Sequence, residues 1–294
     1  MFAAVALGSQ WSDVRERAGD LSVGHVSAAV ACTLVSLLFS LLAWRATLAG
    51  LGEDVPLGPA ARIFFVGQLG KYVPGSVWAV VGQMEMGRAY GIRRNRMATA
   101  AILVLAISLT VSLVLAVLAV PALLSAGSAG YAALVLLVIP LGVALHPKVL
   151  TALVDRGLRV LRRPPLEAPL TGATIAKVAG LSVISNTLLG LEVWQLATDL
   201  GGDGWKLVFL SIGAYTLAAG GGLMAIPLPA GAGLREAILV LLLAPEIGTA
   251  SATVVAVAAR LIATLADVGV AGIVALTVRA PAGPAGQSST TLSR

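Results

Sequence analysis

Several uninterrupted apolar runs, the first from about Val26 to Leu48, are long enough to cross roughly 30 Å of hydrocarbon at about 1.5 Å per residue. Runs of this kind leave few folds open. Membrane strands would read as segments of about ten residues with alternating polarity, whereas these runs are continuous and rich in Leu, Val and Ala, as helices require. With 58% apolar and 12% charged residues, the chain reads as an all-α, polytopic membrane bundle.

The net charge of +6 matters less than where the basic residues lie. Arg88, Arg93, Arg94 and Arg96 form one cluster; Lys148, Arg156, Arg159, Arg162, Arg163 and Lys177 form another. By the positive-inside rule both loops are cytoplasmic, and their cations set topology and touch anionic headgroups. A nucleic-acid site would need a folded soluble module, and no segment fits one. Cys32 has no partner within the chain, and His25 and His146 have no second ligand at metal spacing. Neither a metal nor a cofactor is expected.

The first span ends near Trp44 and Arg45, an aromatic and a cation suited to a membrane interface. Residues 1–25 read either as an interfacial stub or, preferably, as the remnant of a truncated first helix. Residues 60–90 read as two short helices on either side of Tyr72-Val73-Pro74-Gly75, each too short to cross, which makes a re-entrant hairpin. Spans then run from Met97 to about Pro121 and from Tyr131 to about Leu145, with an amphipathic surface helix expected over 148–163. After Lys177 the pattern restarts. A span from Val178 to Thr198 leads to an acidic turn at Asp199–Asp203, which belongs outside. From Trp205 the chain is apolar to Ile226, breaks at Pro227–Gly233, and resumes as a short helix ending near Pro245. The last span, about Ala250 to Val278, exits to the cytoplasm at Arg279, and the Pro/Gly/Ser-rich tail over 280–294 is expected to be disordered.

These sides balance only if the first hairpin enters from the cytoplasm and the second from outside. The chain is then one domain over 26–279 with inverted halves, about 26–121 and 178–278. Inverted repeats with discontinuous helices form a transporter plan whose substrate site lies where the halves meet. The competing reading is that the Gly/Pro segments only kink full-length helices.

Charges inside membrane segments must pair or face a cavity, since each costs about 2.5–3.5 kcal/mol at a helix centre. Lys71 precedes the first break, and Glu85 and Arg88 follow it. Arg235 and Glu236 open the helix after the second break, and Arg260 and Asp267 share one face of the last span. Arg260 and Asp267 are expected to reach different partners, with Glu236 and Arg235 as candidates; such pairs could equally serve only to hold the bundle together. A helix beginning after Pro74-Gly75, or after Gly233, offers free N–H groups and a positive dipole end beside a cation. That is anion chemistry, and in a membrane the natural anion is a lipid phosphate. Asn186, Glu192 and Gln195 could line a polar route for a headgroup, although Asn186 and Gln195 could also be interhelical hydrogen-bond glue. Tyr72 and Trp78 either pack against a lipid or anchor at the interface.

The run Gln68-Leu-Gly-Lys-Tyr-Val-Pro-Gly-Ser-Val-Trp78, followed much later by Pro229-Ala-Gly-Ala-Gly-Leu-Arg-Glu236, resembles the lysylphosphatidylglycerol synthase transmembrane region family. That family includes the flippase domain of the bacterial multiple peptide resistance factor and relatives associated with polyprenyl-linked sugar pathways. Lys71, Pro74 and Gly75 match its first motif, and Pro229, Gly231, Gly233, Arg235 and Glu236 its second. The second motif usually reads closer to Pro-Gly-Gly-Leu-Gly, so Ala230 and Ala232 are departures. The resemblance implies lipid translocation. The chain stops soon after Arg279, without the aminoacyl-transfer domain of the full-length factor, so no lysyl-lipid synthesis is expected.

The expected function is therefore the flipping of an anionic lipid, a phospholipid or a polyprenyl phosphate, in a prokaryotic cell membrane. Lys71, Tyr72, Pro74, Gly75, Trp78, Arg235 and Arg260 are the candidate substrate contacts. Glu85, Arg88, Asn186, Glu192, Glu236 and Asp267 are candidate charge partners or gates. No Walker loop, zinc motif or Ser/His/Asp set is present, so no catalysis is expected. The alternatives are a membrane enzyme acting on a lipid-linked phosphate, or a non-transporting partner of a separate glycosyl- or aminoacyl-transferase; an oligomer is compatible with all of these.

Overall fold

A computed structural model of the chain describes residues 16–73, 78–119, 170–224 and 231–279, with isolated positions between 146 and 159. Eight longer helices order these residues into two similar series. The first series is α1 (Val23–Gly50), α2 (Leu57–Gln68), α3 (Trp78–Ala89) and α4 (Arg94–Leu115). The second is α5 (Gly172–Asp199), α6 (Gly204–Met224), α7 (Leu234–Ile247) and α8 (Thr249–Thr277). Short 3-10 turns extend α2 over Leu69–Tyr72 and α4 over Ala116–Ala119. The expected spans at 131–145, most of the surface helix at 148–163, and the tail lie outside the described residues. So do residues 1–15, Pro74, Gly75 and Pro229.

Local chemistry accounts for the boundaries. Ser22 caps α1 by accepting from the His25 backbone N–H, and Thr171 caps α5 by accepting from that of Thr174. Lys177, expected in a basic loop, instead lies within α5, because the Thr171 cap starts that helix upstream of it. Helices α1 and α5 pair antiparallel along their whole length. Asp199, at the end of α5, accepts from the Ser22 backbone and hydroxyl at 2.8 and 3.0 Å. Midway, Ser185 bonds the Ser40 hydroxyl at 2.9 Å and the Ser36 carbonyl at 3.1 Å, and at the far end Gly50 lies against Leu170 and Thr174. These interhelical hydroxyl bonds contribute about 0.6 kcal/mol each in a bilayer and chiefly set register.

The helix pairs that pack in one series recur in the other: α1 on α2 and α5 on α6, α3 on α4 and α7 on α8, α2 on α8 and α6 on α4. Each hairpin begins and ends on one side. Gly58 of α2 sits against Val278, Arg62 donates to the Ala275 carbonyl at 2.8 Å, and Tyr90 beyond α3 donates to the Arg279 carbonyl. Both ends of the α2–α3 hairpin thus meet the C-terminal end of α8. At the opposite end of the bundle Gly202, just before α6, packs against Leu207 of α6 and Ile247 of α7.

Three apolar clusters hold the bundle. One joins α5 to α8 through residues such as Leu196, Leu207, Leu243 and Val255; one joins α1, α2 and α4 through Leu48, Ile63, Phe64 and Met97; the third is the seam of α1, α4 and α5 at Leu103, Ile107 and Val178. Trp44, expected at an interface, is 1% exposed. It belongs inside because its indole N–H finds a partner there, donating to Gln83 Oε1 at 3.2 Å, while its ring packs on Phe64.

Candidate functional site

Large apolar side chains stand exposed along several helices, among them Leu34 and Leu38 of α1, Leu105 of α4, Leu241 of α7 and Leu261, Leu265, Ile273 and Leu276 of α8. Water would not tolerate apolar surface on this scale. Four of the described helices, α1, α4 with its 3-10 extension, α5 and α8, are long and apolar enough to cross a membrane.

Polar groups converge inside. A cavity of about 170 Å³ is lined by Thr33, Ser36 and Ser40 of α1, Gln68, Lys71 and Tyr72 at the first break, Glu192 of α5, Tyr215 of α6, Arg235 and Glu236 of α7, and Arg260 and Asp267 of α8. Helical spacing places them there. Thr33, Ser36 and Ser40 recur at i, i+3 and i+7 along α1, and Ala256, Arg260, Ala263 and Asp267 form a similar stripe on α8.

Helix α8 is the ruler on which both breaks meet. Lys71 Nζ lies 2.6 Å from Asp267 Oδ2, and the Tyr72 hydroxyl donates to the same oxygen at 2.6 Å. Asp267 stands about 15 Å in from the C-terminal end of α8, at about 1.5 Å per residue. From the other direction Glu236 Oε1 lies 3.5 Å from Arg260 Nη1, and Arg260 stands about 16 Å in from the N-terminal end. Arg260 and Asp267 do take different partners, and Glu236 is one of them. Asp267 takes Lys71 and Tyr72 rather than Arg235, because the 3-10 turn at Leu69–Tyr72 brings both of those side chains against α8.

Arg235 is held differently. Its Nη2 donates to the Tyr215 hydroxyl at 3.0 Å, with the guanidinium 5.5 Å from the centre of the same ring. Its aliphatic stem crosses Gly222, where an added Cβ would fall 2.5 Å from Arg235 Cγ. Gly231, at φ 68°, packs against Gly222 so tightly that a Cβ would lie 2.8 Å from the Gly222 Cα. Two physical demands, a left-handed backbone and close approach, therefore fix glycine at this point of the second motif. The N-terminus of α7, expected to offer free N–H groups, is partly spent: Gly233 N–H donates to Glu236 Oε2 at 2.6 Å, as an acid in the first helical turn permits.

Other candidates lie elsewhere. Glu85 pairs with Arg94 on the exposed side of α3 and α4, away from the cavity, and Arg88 is exposed near the same end of the bundle. Trp78 is half-exposed and does not line the cavity, and Asn186 accepts from Ser112 at 3.0 Å, tying α5 to α4. Glu192 does reach the cavity and is 1% exposed, with no hydrogen-bond partner for Oε1. Sequence reasoning missed Gln68, Tyr215 and the hydroxyl stripe of α1. The stripe was detectable from its spacing, whereas a tyrosine in an apolar run carries no signal of its own.

A lipid-facing helical bundle with a charged cavity at mid-depth defines a polytopic integral membrane protein built around an internal polar site. The chain matches the family model described as lysylphosphatidylglycerol synthase TM region over residues 1–271, and it belongs to that family. No curated protein matches it.

Proposed function

We propose that this protein moves an anionic lipid between membrane leaflets, without changing it covalently, by alternating exposure of the central cavity. The observation that carries the reading is Arg235. Among the described residues no carboxylate lies within ion-pair distance of it, so its guanidinium, oriented by Tyr215, retains capacity for a phosphate. Lys71 and Arg260 bring further positive charge to the same cavity, each offset by an acid that a headgroup could displace.

Alternating exposure is supported by the antiparallel α1–α5 pair and by the recurrence of the same helix contacts in both series, as inverted halves require. In this reading α2–α3 and α6–α7 are re-entrant hairpins entering from opposite faces. Arg45, Arg62, Arg88, Arg93, Arg94, Arg96 and Arg279 gather at one end of the bundle, which the positive-inside rule assigns to the cytoplasm. The chemistry at the cavity suits phospholipid and polyprenyl phosphate alike.

Purified protein in phosphatidylcholine liposomes should accelerate the flip of fluorescently labelled phosphatidylglycerol, with loss of outer-leaflet quenching as the readout. Lys71→Ala and Arg235→Ala should each return the rate to that of protein-free liposomes. Unchanged flip in both variants would sink the assignment.

A further inference from the structure

Glu192 is the buried acid that the phosphate contacts leave unused. It sits on α5, 1% exposed, in the wall of the cavity, and its Oε1 has no hydrogen-bond partner. An ionised carboxylate removed from water is costly unless it is paired. Lys71 and Arg260 are engaged with Asp267 and Glu236, which leaves Arg235, a donor to the neutral Tyr215, as the cation whose charge Glu192 balances before a headgroup enters and which an arriving phosphate would claim.

The groups that face Glu192 come from every side. Helix α1 brings Cys32 and Thr33, α6 brings Tyr215, α7 brings Arg235 and Glu236, and α8 brings Arg260 and Asp267; α4, which also packs on α5, carries its charges only near its N-terminus. Thr33 is oriented by the backbone, since its hydroxyl donates to the Ala29 carbonyl at 3.0 Å.

Charge balance supplies the second argument. The lining holds Lys71, Arg235 and Arg260 against Glu192, Glu236 and Asp267, three of each sign. A phosphate arriving at Arg235 brings one more negative charge into a site already balanced. Neutralising Glu192 with a proton removes that excess without breaking either existing ion pair. Linkage is then reciprocal, because the anion raises the affinity for the proton and the proton raises the affinity for the anion by the same factor.

We propose that Glu192 takes up one proton when an anionic headgroup enters the cavity and releases it when the headgroup leaves, so that lipid and proton cross together. On entry one O–H bond forms at the Glu192 carboxylate with a proton from the water of the open cavity mouth; on exit that bond breaks and the proton returns to water on the other side. No other covalent bond changes, and a monoanionic headgroup with its proton carries no net charge across. The inference rests on the lipid-translocation reading and adds the driving ion.

Two measurements test it. In weakly buffered detergent solution, addition of phosphatidylglycerol to the wild-type protein should produce alkalinisation equivalent to one proton per lipid bound, read with a soluble pH indicator. In liposomes carrying labelled phosphatidylglycerol and a trapped pH dye, an acid-outside gradient should speed inward flip about tenfold, within the range of ordinary coupling. Glu192→Gln should abolish both the proton signal and the response to the gradient. Flip by the wild type without proton movement and with no response to the gradient would overturn the proton coupling while leaving translocation standing. Absence of any wild-type flip would remove translocation itself, and the coupling with it. The detergent measurement uses only the wild type, so a variant that fails to fold does not rescue the idea: no alkalinisation on lipid binding overturns it.

Discussion

The two breaks each place a cation beside a tyrosine ring, yet the pairs are built from different materials. At the first, Lys71 lies 5.4 Å from the Tyr72 ring centre, and both side chains converge on Asp267, which comes from the opposite series of helices. At the second, Arg235 leans on Tyr215, from the helix just before it in the same series, and meets no carboxylate at ion-pair distance among the described residues. The first arrangement ties two halves together. The second leaves a charge unspent. A lysine is a point charge that one carboxylate satisfies, whereas a guanidinium held by a phenol at one nitrogen still presents further donors. The comparison teaches that Lys71 carries much of the structural burden and Arg235 much of the binding.

The strongest way to break that contrast is to remove each cation and measure stability. Lys71→Ala should cost about 3 kcal/mol in denaturant unfolding in detergent, because Asp267 would be left buried and unpaired. This is the low end for a broken buried pair, since Lys71 keeps a third of its side-chain surface exposed. Arg235→Ala should cost about 1 kcal/mol, the loss of a hydrogen-bond partner for Tyr215. Equal costs would erase the distinction. Adding Asp267→Asn to Lys71→Ala should recover about 2 kcal/mol by neutralising the stranded carboxylate, without restoring flip.

Smaller changes sharpen the same contrast. Tyr215→Phe should remove about 1.5 kcal/mol of orientation from Arg235, read as roughly tenfold weaker phosphatidylglycerol binding, with the same loss of about 1 kcal/mol in unfolding as Arg235→Ala because the same hydrogen bond is lost. Tyr72→Phe should also lower stability by about 1 kcal/mol, but with binding held within about twofold, since Lys71 still meets Asp267. The smallest effect is expected from Glu236→Gln. Its pair with Arg260 is longer and partly exposed, and glutamine keeps an acceptor for Gly233 N–H, so unfolding should shift by under about 1 kcal/mol.

Much of the bundle could be read from the chain because membrane helices are local objects. Val26–Leu48 and Ala250–Val278 fall within three residues of α1 and α8, and Met97–Pro121 and Val178–Thr198 overlap α4 and α5 with ends up to six residues apart. Lys71, Arg235, Arg260, Glu236 and Asp267 stood out for the same reason, since any charge in such runs must be accounted for. Their pairing was legible only in part: Arg260 meets Glu236 as expected, whereas Asp267 does not meet Arg235. That Asp267 serves Lys71 follows from how α2 docks on α8, a tertiary fact with no trace in spacing. Trp44 was misjudged because the acceptor that lets an indole go inside, Gln83, lies on a different helix. Thr33, Ser36 and Ser40 passed unnoticed because hydroxyls in helices commonly bond the preceding turn, as Thr33 does, and so look self-sufficient.

The antiparallel clasp of α1 and α5 also sets a schedule for assembly. Ser36 meets Ser185 across 149 residues, and Ser22 meets Asp199 across 177. At roughly 5–20 residues per second of synthesis, the first helix waits about 7–30 s in the bilayer before the helix that covers its hydroxyl face has been made. During that interval the emerging protein exposes to lipid, or to whatever insertion machinery shields it, the same polar stripe that later lines its cavity.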